Sequence, residues 1–561
     1  MKKWEFYKSD ENLALEIAKK FNISNVLATV LINRGIVKDN DIKVFLEPTR
    51  NDFHDPYLMP DMNIAVDRIL KAIEKKEKVI IYGDYDVDGI TSITVLHKFL
   101  KERGLDTGYY IPNRLSEGYG LNKNAVKEIA DQGYKLIITV DCGISSLEEI
   151  EYAYELGMEV IVTDHHEPLD ELPKALAVID CKRKDNKYPC NVLAGVGVAF
   201  KLTQALSKKL NLEEKEFLKY LDIVCIGTIS DIVPLIDENR IIAKLGLKLA
   251  AMTKNKGLKS LINVSGYNEI NSNAISFGLA PRINACGRMG HEVEALNLFL
   301  TDDTEEVVTI TNNLNAYNKE RQEIEKKIFD EAISEINNKN LNEKNAIVLG
   351  KDNWHHGVIG IVASKITDLY FKPSILICFE GEEGKGSGRS VPGFDLHDAL
   401  CKSSEYLEKY GGHAMAVGLS LDKEKFKEFS DKFEEIAKEA HTDEIVSVIK
   451  IDKEITLADM NKETIDELKV LEPFGESNKE PLFIYKNLRI DSIRALSEGK
   501  HLKLTLKDGN SIINAIGFNI GNLANEYLIG DKIDIIGVLE INSYKGNDII
   551  QINIKDIRKS Y

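Results

Sequence analysis

Residues 79–89 read Val-Ile-Ile-Tyr-Gly-Asp-Tyr-Asp-Val-Asp-Gly, an apolar run of strand length that leads into three aspartates spaced two residues apart. Similar apolar runs follow, with helical stretches between them, at Tyr109–Ile111, Leu136–Val140, Val160–Thr163 and Leu176–Ile179. Strands that alternate with helices are typical of a parallel sheet covered by helices. The sequence therefore predicts an α/β fold from residue 79 to about residue 310.

Acidic and imidazole side chains follow these runs. In chain order they are Asp84, Asp86, Asp88, Asp141, Asp164, His165, His166 and Asp231. We expect Asp231 to end a fourth strand of this kind. Because functional groups gather at the carboxyl ends of parallel strands, we expect these side chains to meet at one edge of the sheet. Clustered carboxylates repel one another, and a divalent cation removes that cost. Mixed oxygen and imidazole ligands suit Mn²⁺ or Mg²⁺.

Each element also has a simpler interpretation. Residues 84–89 resemble the start of a calcium-binding EF-hand loop, but Val95 stands where that loop needs glutamate, and a strand precedes it. A single aspartate at a strand end is more often a helix cap, and His165 and His166 could be one core and one surface residue. The glycines at 195–197 and 384–386 complete neither a dinucleotide-binding motif nor a P-loop. The conjunction of several such strand ends is what favours a metal site.

The rest of the chain divides by pattern. Residues 1–50 are predicted to be helical, and residues 312–336, which contain no Pro or Gly, predict one long helix that links two lobes or covers the first. A second α/β unit has strands at Ala346–Leu349 and Ile375–Phe379, with Gly-rich loops at Gly384–Ser390 and Tyr410–Gly418. From Val446 onwards, short strand-like runs predict a small β-barrel of the OB type. The expected domains are residues 1–50, 51–311, 312–340, 341–445 and 446–561.

Composition limits the partners and the compartment. The net charge of −17 means that cations must be concentrated locally if the chain binds a polyanion. The seven cysteines form no C-x-x-C pair, which is typical of reduced thiols in a cytoplasmic protein. No apolar run reaches the roughly 18 residues of a membrane span, and the N-terminus has no apolar signal core. We expect a monomeric, cytoplasmic protein that does not enter a membrane.

The aspartate and histidine motifs resemble the four signature motifs of the DHH phosphoesterases, which take their name from an Asp-His-His triplet. Further stretches resemble the RecJ exonuclease branch of that superfamily: residues 111–114, 117–120, 280–288, 354–360, 386–390, 411–413 and 473–478. The sequence departs at Cys286, where the family often has alanine. It also departs at Tyr82, where simpler members have a histidine, so that Asp84 could replace that ligand.

This resemblance implies a nuclease that degrades single-stranded DNA from the 5′ end to mononucleotides with two divalent cations, Mn²⁺ or Mg²⁺, in repair and recombination. The implied metal ligands are Asp86, Asp88, Asp141, His165 and Asp231, with Asp141 as the bridge. Asp84 and Asp164 would orient ligands, and His166 would contact the scissile phosphate or protonate the leaving oxygen. The expected phosphate-binding residues are Arg114, Arg282, Asn284, Arg288, Ser387, Arg389 and His413, together with an anion-binding nest of the amides of residues 386–390.

The barrel would guide the strand through Lys500, His501, Lys503, Tyr544 and Lys545. Single-stranded DNA is the expected partner, and a single-strand-binding protein or a RecQ-type helicase is a further candidate. Two alternatives stay open. One is a DHH phosphodiesterase for short RNA or cyclic dinucleotides, which usually lacks a C-terminal barrel. The other is a non-catalytic DNA-binding relative, which tends to lose metal ligands.

Overall fold

The computed structural model describes residues 2–114, 116–442, 445–544 and 547–560. It divides into two units, one of His54–Val233 and Leu245–Ser447, the other of Lys2–Phe53, Pro234–Lys244 and Val448–Tyr561. The strands are β1 (Lys3–Phe6), β2 (Val79–Gly83), β3 (Thr107–Tyr110), β4 (Leu136–Val140), β5 (Glu159–Asp164), β6 (Ala177–Asp180), β7 (Ile347–Asp352), β8 (Ser374–Glu380), β9 (Glu383–Arg389), β10 (Lys409–His413), β11 (Ala416–Asp422), β12 (Val448–Ile451), β13 (Lys453–Glu454), β14 (Phe483–Leu496), β15 (His501–Asp508), β16 (Ser511–Gly517), β17 (Lys532–Tyr544) and β18 (Asn547–Lys559).

The helices are α1 (Glu11–Phe21), α2 (Asn25–Asn33), α3 (Asp39–Leu46), α4 (Met62–Lys75), α5 (Val87–Lys101), α6 (Lys123–Asp131), α7 (Leu147–Glu155), α8 (Gly195–Lys209), α9 (Lys215–Leu218), α10 (Leu221–Ser230), α11 (Asp237–Ala250), α12 (Lys256–Ser265), α13 (Ala280–Arg288), α14 (Glu292–Leu300), α15 (Thr304–Asn338), α16 (His356–Tyr370), α17 (Leu396–Lys402), α18 (Phe426–Glu439) and α19 (Lys462–Leu468). None of them, over the residues described, is both long and apolar enough to cross a bilayer.

The first lobe of the first unit is built on a five-stranded sheet of order β3-β2-β4-β5-β6 with every pairing parallel. Its central strands β2 and β4 are buried at every position, as their continuous apolar sequence predicts. The chain runs from β2 out to β3 and returns on the other side of β2 as β4. The switch point therefore lies between β2 and β4, and the aspartates that follow both strands lie there.

The long helix α15 and a second lobe complete this unit. Helix α15 spans 35 residues, which confirms the predicted linking helix. Its N-terminal half packs against α12, α13 and α14, and Ile328, Ala332 and Ile336 in its C-terminal half join the core of the second lobe. That lobe has a five-stranded sheet of order β10-β11-β9-β8-β7. The two α/β lobes are thus confirmed.

Two predictions about local structure were wrong. The expected Gly-rich loops are strands β9, β10 and β11, in which glycines let neighbouring side chains approach closely: a Cβ at Gly386 would lie 2.8 Å from Leu419 Cδ1. The segment before Asp231 is helix α10, not a strand. Its residues are mostly apolar and almost all buried, and a short apolar run cannot distinguish a buried helix from a buried strand.

The second unit contains the predicted barrel. Strands β14, β15, β16, β18 and β17 pair in that order, and β14 pairs with β17 to close it. Leu27, Leu31 and Phe45 of the N-terminal helices share one apolar core with barrel residues such as Leu502 and Ile533. Strand β1 pairs in parallel with β12. The N-terminal segment is therefore not wholly helical, and the run at 446–451 lies outside the barrel.

A buried arginine ties three segments of the second unit together. Arg240 is 1% exposed, and its guanidinium donates hydrogen bonds to the carbonyls of Phe45, Val470, Leu471 and Glu472. The guanidinium carbon also lies 3.5 Å from the centroid of the Phe45 ring. The same side chain therefore satisfies the carbonyls that end helix α3 and those that follow helix α19.

Candidate metal centre and phosphate site

The structure brings the predicted ligands together around His165. Its Nε2 lies 3.1 Å from Asp141 Oδ1, 3.6 Å from Asp231 Oδ2 and 3.8 Å from Asp88 Oδ2. Ligand atoms lie within 4.8 Å of one another in three sets: Asp88 with His165 and Asp231, Asp141 with His165 and His166, and Asp84 with Asp86 and Asp141. Asp141 belongs to two of these sets. Residues up to 147 positions apart in the chain thus meet at the switch point of the sheet.

Several buried atoms at this centre have no hydrogen-bond partner in the described part of the chain. Asp84 Oδ1, Asp141 Oδ1 and His165 Nε2 are buried and accept or donate no hydrogen bond among the described residues. Buried polar atoms are normally paired, so an unpaired set of oxygen and nitrogen atoms indicates a missing ligand. Carboxylate and imidazole atoms are the ligands that Mn²⁺ and Mg²⁺ accept. The donor set fits a divalent cation.

The carboxylates pay an electrostatic cost when no cation is bound. Burial, and then the charge of Asp86, raise the pKa of Asp88 to about 7. Burial and the charges of Asp88 and Asp86 raise the pKa of Asp231 to about 9. The pKa values of Asp84 and Asp141 are raised for the same reasons, burial first and neighbouring carboxylates second. A bound cation would reverse these shifts.

His165 is held as a neutral base. Burial, together with the charge of His166, lowers the pKa of His165 to about 3. The backbone carbonyl of Leu193 accepts a hydrogen bond from the His165 ring, and Nε2 is the nitrogen without a partner. This arrangement leaves the Nε2 lone pair directed at the carboxylates, as a metal-binding histidine requires.

Asp164 holds His166 and the loop around it. One Asp164 oxygen accepts hydrogen bonds from the amides of His165 and His166 and from His166 Nδ1 at 2.7 Å, and the other accepts from the Ile144 amide. Burial works to raise the pKa of Asp164, but the hydrogen bond from His166 and the histidine charges outweigh it and lower that pKa. Burial works to lower the pKa of His166, and Asp164 outweighs it and raises that pKa. Asp164 is therefore engaged in positioning His166.

Two helix N-termini hold the remaining carboxylates. Asp86 caps helix α5, because its Oδ1 accepts hydrogen bonds from the Asp88 and Gly89 amides. Asp88 in turn accepts from the Gly195 and Val196 amides at 2.6 and 2.8 Å, at the start of helix α8. Gly195 also lies against Asp141: a Cβ there would be 2.6 Å from Asp141 Oδ1. Asp86 and Asp88 therefore accept hydrogen bonds from helix N-termini and also belong to the candidate metal-binding cluster.

A group of arginines lies beside this centre. Arg288 donates to the Gly357 carbonyl, and Arg389 donates to Ser387 Oγ and the Gly388 carbonyl. Over the described residues, neither these two nor Arg114 has an ion pair with a carboxylate. Burial, and then the charges of Arg114, Arg321 and Arg389, lower the pKa of Arg288 to about 9. Guanidinium groups held together without acids form a site for an anion such as phosphate.

Arg114 joins the two sites electrostatically. Its guanidinium lies 4.9 Å from the centroid of the Tyr85 ring, between two aspartates of the first motif in sequence. Its charge lowers the pKa of Asp84 as well as that of Arg288 and Arg389. The group of arginines is therefore adjacent to the candidate metal centre.

The other predicted phosphate residues have different surroundings. The expected nest of amides at residues 386–390 was wrong, because β9 is paired on both sides, with β8 and β11. His413 is exposed on β10, in the same cross-strand row as Ala416 and Arg389. Arg282 donates to Gly278, Val264 and Asn315, and Asn284 accepts from the Val87 amide. The structure therefore gives Arg282 and Asn284 partners within the protein.

On the barrel, Lys503 lies on the outer face of β15, opposite Arg494 on β14 and Ile516 on β16. Lys500 is exposed in the turn before β15. The side chain of Tyr544 and residue Lys545 lie outside the described part of the structure. Phe518, which is 50% exposed, packs edge-on against His501 with ring centroids 5.3 Å apart. Sequence patterns missed Arg494 and Phe518, which become neighbours of Lys503 and His501 only through strand register.

Two further side chains at the metal centre had no predicted role. Tyr119 donates a hydrogen bond to the Asp141 carbonyl, and its hydroxyl lies 3.1 Å from His166 Nδ1. Lys182 follows β6, and its positive charge lowers the pKa of Asp231. Tyr82 stands where simpler DHH enzymes have histidine, and its hydroxyl donates a hydrogen bond to the Gly120 carbonyl. The sequence signal that could have identified Tyr119 was its position in residues 117–120, close to the motif that ends at Arg114.

Three family models match this chain. Residues 78–228 match the DHH family, N-terminal domain, residues 343–439 match the DHHA1 domain, and residues 451–556 match the RecJ OB domain. The Asp-His-His strand end in a parallel sheet, followed by a DHHA1 lobe, defines a DHH phosphoesterase, a metal-dependent hydrolase.

Comparison with individual proteins places the chain in one family within the DHH phosphoesterases. The chain is 39% identical over 560 residues to the single-stranded-DNA-specific exonuclease RecJ of Bacillus subtilis, covering 99% of this chain and 70% of that one. It is 34% identical to RecJ of Escherichia coli, covering 88% and 89%. A crystal structure of RecJ with Mn²⁺ from Thermus thermophilus matches with a TM-score of 0.88 at 30% identity, covering 100% of this chain and 80% of that one. The chain belongs to the RecJ family of single-stranded-DNA-specific exonucleases.

A structure of the same Thermus protein with Mg²⁺ matches with a TM-score of 0.80 at 28% identity, covering 100% of this chain and 79% of that one. Both cations therefore occur in solved structures of this fold.

Proposed function

We propose that this chain hydrolyses single-stranded DNA stepwise from the 5′ end and releases 5′-mononucleotides with the help of two divalent cations, Mn²⁺ or Mg²⁺. The observation that carries the proposal is the position of Asp141. It belongs both to the set with Asp84 and Asp86 and to the set with His165. A carboxylate shared between two ligand sets is what a pair of bridged cations requires.

The ligand assignment follows from the contacts. Asp86 and Asp84 would hold one cation, Asp88, His165 and Asp231 the other, and Asp141 both. Bound cations would activate a water molecule and neutralise the charge that develops at phosphorus. Asp164 fixes His166 through the 2.7 Å contact to Nδ1, so His166 presents Nε2 towards substrate and can contact the scissile phosphate or protonate the leaving oxygen.

The group of arginines beside the metal centre supports the proposed polarity. Arg114, Arg288, Arg389 and Ser387 would bind a terminal 5′ phosphate next to the metal centre, with His413 at the edge of that pocket. A doubly charged terminal phosphate matches several guanidinium groups that have no carboxylate partner among the described residues better than the single charge of an internal phosphodiester does. Binding the terminus beside the cations places the first phosphodiester bond at the site of cleavage, which gives mononucleotides.

The barrel would guide the strand. Lys500, Lys503 and Arg494 supply positive charge for the backbone, and Phe518 with His501 supplies a ring face for a base. We keep Tyr544 as a candidate from sequence alone. The proposed domains remain an N-terminal helical segment, the DHH lobe, the connecting helix, the DHHA1 lobe and the OB domain, with the bounds given above. A role in repair and recombination, alone or with a single-strand-binding protein or a helicase, belongs to the same proposal.

The test uses the full chain and single-stranded DNA of 30 nucleotides labelled at either end. With Mn²⁺ or Mg²⁺ we expect a 5′ label to appear at once as a mononucleotide and a 3′ label to remain on progressively shorter strands. EDTA, or the substitution Asp141→Ala, should abolish release of the 5′ label and shortening of the 3′-labelled strand. The variant Asp170→Ala, which removes a fully exposed aspartate, is the control.

Three results would contradict the proposal. A 3′ label released first would reverse the polarity, and full activity of Asp141→Ala would remove the metal assignment. Faster hydrolysis of cyclic or linear dinucleotides than of the 30-nucleotide strand would favour a dinucleotide phosphodiesterase instead. Removing the 5′ phosphate tests the anion site separately from the metal centre: it should raise KM and make the first product a nucleoside, while every later product is still a 5′-mononucleotide.

A further inference from the structure

Ile232 has a backbone conformation that its side chain disfavours. It directly follows Asp231 at the end of helix α10, with φ of 62°. A β-branched residue is a clear outlier in this left-handed region, and the position after a helix with such a φ is normally glycine or asparagine. Among the sixteen non-glycine residues with positive φ that the structure describes, Ile232 alone is β-branched.

Burial of the Ile232 side chain does not offset this strain. The Ile232 side chain is 70% exposed, so it gains little from burial. Phe371, the other large apolar residue with positive φ, packs against the core of the second lobe. Strained residues that packing does not explain concentrate at functional sites.

The position of Ile232 in the chain places it at the metal centre. The preceding carboxylate, Asp231, has its Oδ2 3.6 Å from His165 Nε2. Asp231, to which Ile232 is bonded, lies among charged or polar groups, since the charge of Lys182 acts on both Asp231 and His166. An exposed branched apolar side chain beside them offers the kind of surface that matches the uncharged part of a nucleotide.

We propose that Ile232 is a substrate-contacting residue that packs against the deoxyribose or base of the nucleotide whose phosphodiester is cleaved. This inference rests on the proposed function, since it requires a nucleotide at the metal centre. The contact would bury most of the exposed branched side chain on binding. From the area rule for apolar burial we expect about a tenfold contribution to affinity.

The variants Ile232→Gly and Ile232→Asn remove the apolar contact and accept a positive φ, so both should fold. On a 5′-phosphorylated oligothymidylate of 20 nucleotides we expect KM to rise about tenfold, while Mn²⁺ affinity by calorimetry stays within twofold and Tm is equal or higher. Ile232→Leu keeps an apolar side chain and should keep most of the affinity. Met252→Gly, at another exposed apolar residue of this unit, is the control.

The alternative is that Ile232 only stiffens the chain where it leaves the first unit, at Val233. Unchanged KM in Ile232→Gly and Ile232→Asn would overturn the proposal in favour of that role. Weaker Mn²⁺ binding in both would also overturn it, because Ile232 would then be positioning Asp231. If the wild type releases no nucleotide, the proposed function has failed. Oligonucleotide binding measured by fluorescence anisotropy then decides on Ile232, because equal affinities of wild type and Ile232→Gly would refute the contact.

Discussion

Replacing Gly195 by alanine tests the metal centre with the smallest change the chain allows. The added Cβ would lie 2.6 Å from Asp141 Oδ1 and 2.7 Å from its Cβ, whereas ordinary contact begins at 3.4 Å. Asp141 must therefore move by roughly 0.8 Å, or helix α8 must move away and weaken the hydrogen bonds that Asp88 accepts from its first amides. A displacement of this size at a catalytic ligand costs about a hundredfold in rate.

Gly197→Ala is the matched control, because it lies in the same first turn and the three atoms nearest to its Cβ would all belong to the Leu193 side chain, the first at 3.3 Å. Alanine is the better helix former, by about 1 kcal/mol, so neither variant should lose stability through helix propensity. We expect Gly195→Ala to lose about a hundredfold in kcat/KM on labelled single-stranded DNA and to bind Mn²⁺ more weakly by calorimetry, with Gly197→Ala within about threefold of wild type. Near-normal activity of Gly195→Ala, or equal damage in both variants, would refute the reasoning.

Three other perturbations have outcomes set by the structure. Because the pKa values of Asp88 and Asp231 are raised in the fold to about 7 and about 9, the metal-free folded protein holds protons that the unfolded chain releases, and this stabilisation is lost as the pH rises through those values. His165, whose pKa is lowered from 6.5 to about 3, has the opposite effect only below pH 6.5, so stability should fall from pH 7 to pH 9, and a Tm in EDTA that rises over this range would contradict that sign. Asp164→Asn weakens the hydrogen bond to His166 and should lower kcat by about 10- to 100-fold while the affinity for Mn²⁺ is kept. Loss of Mn²⁺ binding in this variant would show that Asp164 is a metal ligand instead. Arg240→Met removes the hydrogen bonds to the carbonyls of Phe45, Val470, Leu471 and Glu472, although Lys244 still donates to Val470 and Asn478 to Leu471. The variant should lower the free energy of unfolding by about 3 kcal/mol in urea titrations, whereas a change below about 1 kcal/mol would show that water replaces the guanidinium.

The sheet and the barrel were predictable because their strands are apolar runs bounded by turn residues. Val79–Gly83 and Leu136–Val140 are buried on both faces, so continuous hydrophobicity was a sufficient signal. Strand β9 was not recognised, because Gly384, Gly386 and Gly388 indicate a turn when read alone. The need for glycine at these positions becomes clear only in the folded sheet, where side chains of the neighbouring strands leave no room for a Cβ.

For the candidate metal centre, residue type and position after an apolar run were enough to predict the carboxylates and histidines. The individual arginines could not be separated in this way. Arg288 and Arg282 lie on the same helix, α13, yet one faces a cluster of like charges and the other is engaged by Gly278, Val264 and Asn315. That difference depends on contacts across lobes and helices, which a linear pattern does not contain.

The assembly of the second unit from distant segments has a consequence for synthesis. Helices α1 to α3 share their core with strands that lie about 400 residues further along the chain. At roughly 5–20 residues per second, a ribosome needs about 20–80 s to make the intervening polypeptide. During that interval the apolar faces of Leu27, Leu31 and Phe45 lack their final partners, so nascent chains need protection from aggregation until translation reaches the barrel.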